Sequence, residues 1–244
     1  MENYKVKILH LFPDLLNLYG DKGNIATLRK RLIWRGIDAE VMYCTAEDER
    51  IDFENADIIL LGGGFDREVK TVLEKLFGQK TELAEFVENG GTMLALCSGF
   101  EMLGKHFYLN GEKTAGLGVL DAFAEIPADG KRITGNVVLE CDEFKQKITG
   151  FENHEGRMMT GTLDPLGIVV AGCGNNGEDK KEGAVYKNLI ATYLHGPLLP
   201  KNPELCDRIL ANCLKHKYPD FTELEHIDDG LEVLANDYMV KISE

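Results

Sequence analysis

Short apolar runs of strand length alternate with stretches of helical periodicity along the first hundred residues, and this rhythm restricts the fold more than any other feature. Residues 4–12, with Val6, Ile8, Leu9 and Leu11, read as a strand. A turn-rich stretch over 13–24 follows, and Ile25, Leu28, Leu32 and Ile33 then recur at helical spacing up to Gly36, a helix stop. Residues 39–43 and 57–61 are further strands, the second ending abruptly in Gly62-Gly63-Gly64. Helical patterns over 68–77 and 82–89 lead through Gly90-Gly91 to a strand at 92–96. Alternation of this kind builds a parallel sheet covered on both faces, whose inner strands are apolar throughout. The expected fold is α/β: a three-layer sandwich with a central, mostly parallel sheet flanked by helices.

The middle of the chain, about 117–170, is richer in β character, with strands expected at 133–140 and 167–171. Another is expected at 189–194, ending at His195. A helix over 203–217 places Leu205, Ile209, Leu210, Cys213 and Leu214 on one face. From 222 to 243, Leu224, Ile227, Leu231, Leu234, Tyr238 and Met239 recur at helical spacing among acidic residues, the pattern of an amphipathic helix. The chain therefore divides into one domain over 1–220 and a C-terminal helix over 221–244 that packs on the domain or on a partner.

Charge and composition exclude several classes. With 27 basic and 41 acidic residues the formal net charge is −14, a field that repels phosphate backbones, so nucleic acid is not an expected partner. The longest apolar run, 93–97, falls far short of the ~20 residues of a membrane span. Lys5, Lys7 and His10 interrupt the N-terminal apolar residues, so no signal peptide is expected and the setting is cytoplasmic. Six cysteines, at 44, 97, 141, 173, 206 and 213, form no C-x-x-C pair and no zinc-like cluster; free thiols and no metal are expected.

One of those thiols is placed to react. In Leu94-Ala95-Leu96-Cys97-Ser98-Gly99-Phe100-Glu101 an apolar strand meets helical periodicity with no loop between, the signature of a nucleophile elbow. Amides at the following helix N-terminus would favour a thiolate, the reactive form. A buried structural cysteine explains the string equally well when it is taken alone. His195, followed by Gly196-Pro197, also ends an inner strand, where it could serve Cys97 as general base and then general acid. Backbone amides of Gly63 and Gly64, with that of Ser98, could form an oxyanion hole. The glycine triplet lacks a phosphate-loop lysine and the G-x-G-x-x-G spacing, which disfavours nucleotide binding.

Five further strings give this pattern a family. They are Leu18-Tyr19-Gly20-Asp21-Lys22-Gly23-Asn24, Gly62-Gly63-Gly64-Phe65-Asp66-Arg67-Glu68, Gly150-Phe151-Glu152-Asn153-His154-Glu155-Gly156-Arg157, the stretch 174–183 and the stretch 192–202. Over most of its length the chain resembles the class I, triad-type glutamine amidotransferases of the CobB/CobQ-like branch. Within that branch it is most similar to the glutaminase subunits of lipid II isoglutaminyl synthases. The resemblance implies that Cys97 attacks the side-chain amide of L-glutamine, forming a thioester, while His195 protonates the departing ammonia and later activates water. It implies a heterodimer in which a Mur-ligase-like synthetase subunit receives the ammonia and amidates D-glutamate in lipid II. No cofactor is implied for this chain; ATP and Mg are expected in the synthetase. Arg132 matches the family arginine that holds the α-carboxylate of glutamine, a task suited to a guanidinium fork.

Two positions depart from the family pattern. Many members carry a glutamate two residues after the histidine, where this chain has Pro197; Asp21 is an in-chain candidate to orient the imidazole instead. Glu101 stands where the elbow pattern has glutamine. The alternatives are an amidotransferase serving another acceptor, such as a cobyrinic-acid-type corrin, a cysteine hydrolase on the same scaffold, and a non-catalytic subunit that kept the fold.

Overall fold

The computed structural model describes residues 4–243, so the outermost ends of the two expected units, 1–3 and 244, lie outside the described residues. Along the chain, β1 (Lys5–Leu11) passes through a 3-10 turn at Leu18–Gly20 into α1 (Lys22–Trp34) and β2 (Asp38–Cys44). Next come β3 (Ile58–Leu61), α2 (Asp66–Gly78), α3 (Lys80–Glu88), β4 (Thr92–Leu96) and α4 (Ser98–Leu103). The middle of the chain holds a hairpin of β5 (His106–Leu109) and β6 (Glu112–Ala115), then β7 (Phe123–Glu125) and a long hairpin of β8 (Ile133–Glu140) and β9 (Ile148–His154). The strand β10 (Arg157–Met159) pairs with β7, while β11 (Gly167–Ala171) and β12 (Lys181–Glu182) widen the β8–β9 sheet. Finally β13 (Ala184–Tyr186) and β14 (Leu189–Thr192) return to the main sheet before α5 (Pro203–Lys217) and α6 (Gly230–Ser243).

The main sheet has the order β13-β14-β4-β3-β1-β2, and every pair is parallel except the edge pair β13–β14. Alternation along each inner strand explains the two helical layers. Leu9, Leu11, Ile59, Leu61, Met93 and Ala95 point to one face, where they pack against Val72, Leu76, Leu83 and Phe100 of α2, α3 and α4. Ile8, Ile58, Leu60, Leu94 and Leu96 point to the other, against Leu28 and Leu32 of α1 and Ile209 and Leu210 of α5. Both faces are dry, which is why β3 and β4 carry no polar alternation. Three-layer α/β packing is the expected fold, with the antiparallel β12-β11-β8-β9 sheet added beside it.

Three local readings differ. The last inner strand stops at Thr192 rather than at 194, because the buried Glu182 carboxylate accepts from Thr192 Oγ1 (2.6 Å) and from the Tyr193 amide (2.8 Å) and draws the chain off the sheet. Ile33 is 41% exposed, at the rim of α1 rather than in its packed face. The C-terminal helix begins at Gly230 rather than at 222. Just before it, the Asp229 carboxylate accepts from the buried Arg31, which also holds Asp207 of α5 through two bonds of 2.8 and 2.7 Å. The helix docks on its own domain by a polar contact: the buried Asn236 amide donates to the Lys147 and Lys201 carbonyls at 2.9 and 2.8 Å. Leu231, Leu234, Tyr238 and Ile242 stay exposed. Among the described residues no helix is long and apolar enough to cross a membrane.

Candidate active site

Cys97 joins β4 to α4 with φ +53° and ψ −116°, a left-handed conformation that an L residue adopts only when its surroundings impose it. Those surroundings are visible. The Cys97 amide donates to the Thr192 carbonyl at 2.8 Å, so the parallel ladder holds the chain up to the cysteine itself. The Glu101 amide then donates to the Cys97 carbonyl at 3.1 Å, so the helix starts at once. A side chain on Gly99 would lie 2.6 Å from the Leu61 carbonyl oxygen, which explains a glycine two residues past Cys97. The elbow read from the sequence is present.

His195 follows β14, the neighbour of β4, and its backbone is clamped in both directions to Phe151 of β9, at 2.8 and 3.2 Å. A Cβ placed on Gly63 would lie 3.1 Å from Cys97 Cβ and 3.5 Å from His195 Cε1, so thiol and imidazole converge on that glycine. Both imidazole nitrogens are buried and unpartnered, and no thiol–imidazole hydrogen bond is formed. Such bonds often close only when substrate is bound. Burial, with His154 adding to it, lowers the His195 pKa to about 4, so the ring is neutral and able to accept a proton. Burial, then the carboxylates of Glu101 and Asp21, push the Cys97 thiol well above its ordinary range, against the smaller pull of the Ser98 amide and Arg132. At neutral pH the pair rests as thiol and imidazole.

Two expected roles are corrected by the geometry. Asp21 does not reach His195: its buried Oδ2 accepts from the Gly63 amide at 3.0 Å, and its Oδ1 has no partner. Burial raises that carboxyl to about 7, with the Gly63 bond opposing the shift. The same bond occupies one of the amides assigned to an oxyanion hole. The other, from Gly64, donates to Ser98 Oγ at 3.0 Å. Neither glycine amide is free in this arrangement, because the turn that approaches Cys97 is itself fastened by Asp21 and Ser98. The Ser98 amide remains directed at the cysteine sulfur. Pro197, in the place of the family acid, is packed against Gly23 of α1.

Cys97 opens onto a cavity of about 780 Å³ that also presents Ser98, Glu101, Arg132, Asn153 and Tyr19. Arg132 is half exposed there, and Asn153 aims it: Nε donates to Asn153 Oδ1 and Nη2 to the Asn153 carbonyl, both at 3.1 Å. Glu101 Oε1 accepts from the buried Tyr193 hydroxyl at 2.7 Å, and Tyr193 stacks face to face on His154 at 3.7 Å. Burial raises Glu101 to about 7. Tyr19, Asn153 and Tyr193 have no role assigned from the sequence, although they lie in the segments 18–24, 150–157 and 192–202 that carry the family resemblance. Among the described residues no group of three or more His, Cys, Asp or Glu side chains is placed to hold a metal ion.

Residues 7–203 match the CobB/CobQ-like glutamine amidotransferase domain. The chain belongs to that family. Among curated proteins, this amidotransferase is 42% identical over 238 residues to the "lipid II isoglutaminyl synthase (glutamine-hydrolyzing) subunit GatD" of Staphylococcus aureus (strain N315), covering 97% of this chain and 96% of that protein. It is 34% identical to the subunit of the same name from Streptococcus pneumoniae, covering 96% and 91% of the two chains. Among solved structures, PurLQS from Thermotoga maritima superposes with a TM-score of 0.56 at 18% identity over 87% of this amidotransferase and 99% of that chain, a likeness of fold.

Proposed function

We propose that this amidotransferase is the glutaminase subunit of a lipid II isoglutaminyl synthase, acting in the cytoplasm. It hydrolyses L-glutamine and delivers ammonia to a Mur-ligase-like synthetase subunit, its partner in a heterodimer, which uses ATP and Mg to amidate D-glutamate in lipid II. The observation that carries this reading is the strained Cys97 elbow, open to a cavity that also holds Arg132 and backed by a neutral His195. Near-complete coverage of both GatD relatives supports the acceptor. The chain is 31% identical to a probable cobyric acid synthase of Methanococcus maripaludis but spans only 40% of that protein, which argues less for a corrin.

The chemistry proceeds in two halves. Arg132 takes the α-carboxylate of glutamine, which leaves the side-chain amide at Cys97. The sulfur attacks the amide carbon as its proton passes to His195, and the Ser98 amide stabilises the oxyanion. The imidazolium returns that proton to the nitrogen, the C–N bond breaks, and ammonia leaves a thioester. Water, deprotonated by His195, then attacks the thioester carbon, and glutamate and the Cys97 thiol are released. The test is to purify the chain with whatever synthetase it retains and to measure ammonia from glutamine. Wild-type complex should release it and Cys97→Ala complex should not; equal release from both overturns the reading.

A further inference from the structure

Among the described residues no acidic group bonds the His195 imidazole. Pro197 fills the place of the family acid, Asp21 is fastened to the Gly63 amide, and both His195 ring nitrogens lack partners. A ring does what no carboxylate does here. The Tyr19 aromatic ring lies 4.6 Å from the His195 ring, centroid to centroid, tilted by 47°. It packs against an imidazole that is itself fully buried, while Tyr19 is 42% exposed.

The turn that presents Tyr19 is built for this. Tyr19 has φ +55° and ψ 20°, a left-handed conformation that is rare for an aromatic residue. The turn is anchored on either side: the Leu18 amide donates to the Gly63 carbonyl at 3.1 Å, and Asn17 Oδ1 accepts from the Lys22 amide at 3.0 Å. Strain held in this way at a cavity wall is a mark of a positioned side chain. The Tyr19 ring also packs 5.8 Å from Phe151, whose backbone clamps His195.

The far end of Tyr19 reaches the substrate side. Its hydroxyl oxygen accepts from Asn153 Nδ2. Asn153 Oδ1 accepts in turn from Arg132 Nε at 3.1 Å and from Thr134 Oγ1 at 3.2 Å. One continuous chain of contacts therefore links the guanidinium to the imidazole.

We propose that Tyr19 is the positioning residue of His195: its ring fixes the imidazole in place of an acid, and its hydroxyl, through Asn153, couples that position to carboxylate binding at Arg132. This rests on the reading of the site as a glutaminase with Arg132 at the α-carboxylate. An exposed tyrosine that merely lined the cavity would leave the titration of the imidazole unchanged when removed.

The experiment compares Tyr19→Leu and Tyr19→Phe with wild type in two measurements on the full chain. The first is the NMR pH titration of the His195 ring protons, which needs no substrate. The Leu variant opens the ring to water, so its pKa should rise from about 4 toward the ordinary histidine value, whereas the Phe variant should titrate with wild type. The second is steady-state glutamine hydrolysis across pH. The Leu variant should lose about 100-fold in kcat, with its acid limb moved to higher pH. The Phe variant keeps the ring and loses the Asn153 bond, so its main effect should be a KM about fivefold higher. Tyr19 is 42% exposed, so folding of both variants is checked by circular dichroism. If His195 titrates identically in all three folded proteins, the proposal is overturned. If the titration shifts as expected and no protein hydrolyses glutamine, even as the complex with any synthetase it retains, it is the glutaminase reading that fails.

Discussion

The Cys97 amide donates to the Thr192 carbonyl at 2.8 Å, so the backbone of the cysteine is tied to the strand that leads into His195. This bond makes the elbow a property of two neighbouring parallel strands rather than of a loop. Rigid placement of reacting groups is worth more than their intrinsic reactivity when the thiol rests protonated.

Gly99 is the tightest point of that elbow. A methyl group there would meet the Leu61 and Gly62 carbonyl oxygens at 2.6 and 2.9 Å, which are backbone atoms of the adjacent strand end and cannot swing aside. Gly99→Ala should displace Cys97 and lower glutaminase activity by about 100-fold. It should also destabilise the fold by about 2 kcal/mol. Paired thermal melts and activity assays check this; a fully active Gly99→Ala protein would show that the elbow geometry is not required.

The electrostatics of Cys97 set a second expectation. Burial keeps the thiol protonated, and the carboxylates of Asp21 and Glu101, each raised to about 7, add negative charge beside it once they ionise. Both effects raise the thiol pKa, so removing a charge lowers it. At pH 8 Cys97 should react with iodoacetamide more slowly than the exposed Cys173, and Asp21→Asn or Glu101→Gln should speed it. The acceleration should shrink below pH 7, where the carboxyls are already neutral. Site-resolved mass spectrometry of the labelled protein reads both outcomes.

The α-carboxylate role proposed for Arg132 is tested by how its loss affects glutamine and other substrates. Loss of a charge-assisted bidentate contact costs about 2 kcal/mol, or roughly 30-fold. Arg132→Ala should raise KM for glutamine by about that factor. Arg132→Lys should recover part of it, because a point charge replaces a fork. Equal effects on glutamine and on its decarboxylated analogue 4-aminobutyramide would remove the arginine from the carboxylate.

Stability carries its own pH signature. Glu182 is fully buried, with Oε2 unpartnered, and burial raises its pKa to about 7 from an ordinary 4.5. The folded state therefore binds this proton more tightly than the unfolded state, and stability falls as pH rises from about 4.5 to 7. Glu182→Gln removes the ionisation while leaving an amide oxygen for Thr192 and Tyr193. Its advantage in unfolding free energy should be absent near pH 4 and reach about 3 kcal/mol above pH 7. Urea melts across that range check it; a constant offset would mean that Glu182 does not titrate.

The parallel core was legible because continuous apolar runs leave few alternatives: the strand Thr92–Leu96 and the helix Pro203–Lys217 fall where periodicity puts them. The elbow was legible too, since a cysteine without a loop between strand and helix has one geometry available. What the sequence hid were contacts between distant segments. That Asp21 turns to Gly63 rather than to His195, and that Ser98 Oγ takes the Gly64 amide, depends on which groups meet across the sheet ends. The start of the C-terminal helix was hidden for the same reason: Asp229 answers to Arg31, nearly two hundred residues earlier.

A glutamine analogue that alkylates its target tests the covalent step without any partner assay. The chain, alone and with any synthetase that copurifies, is treated with 6-diazo-5-oxo-L-norleucine, and intact mass and peptide maps are recorded. The mechanism requires one adduct per chain, of reagent less dinitrogen, on Cys97; it should be lost in Cys97→Ala and suppressed by excess glutamine. An adduct on another cysteine, or none in either preparation, would contradict a Cys97 thioester and with it the route from glutamine to ammonia.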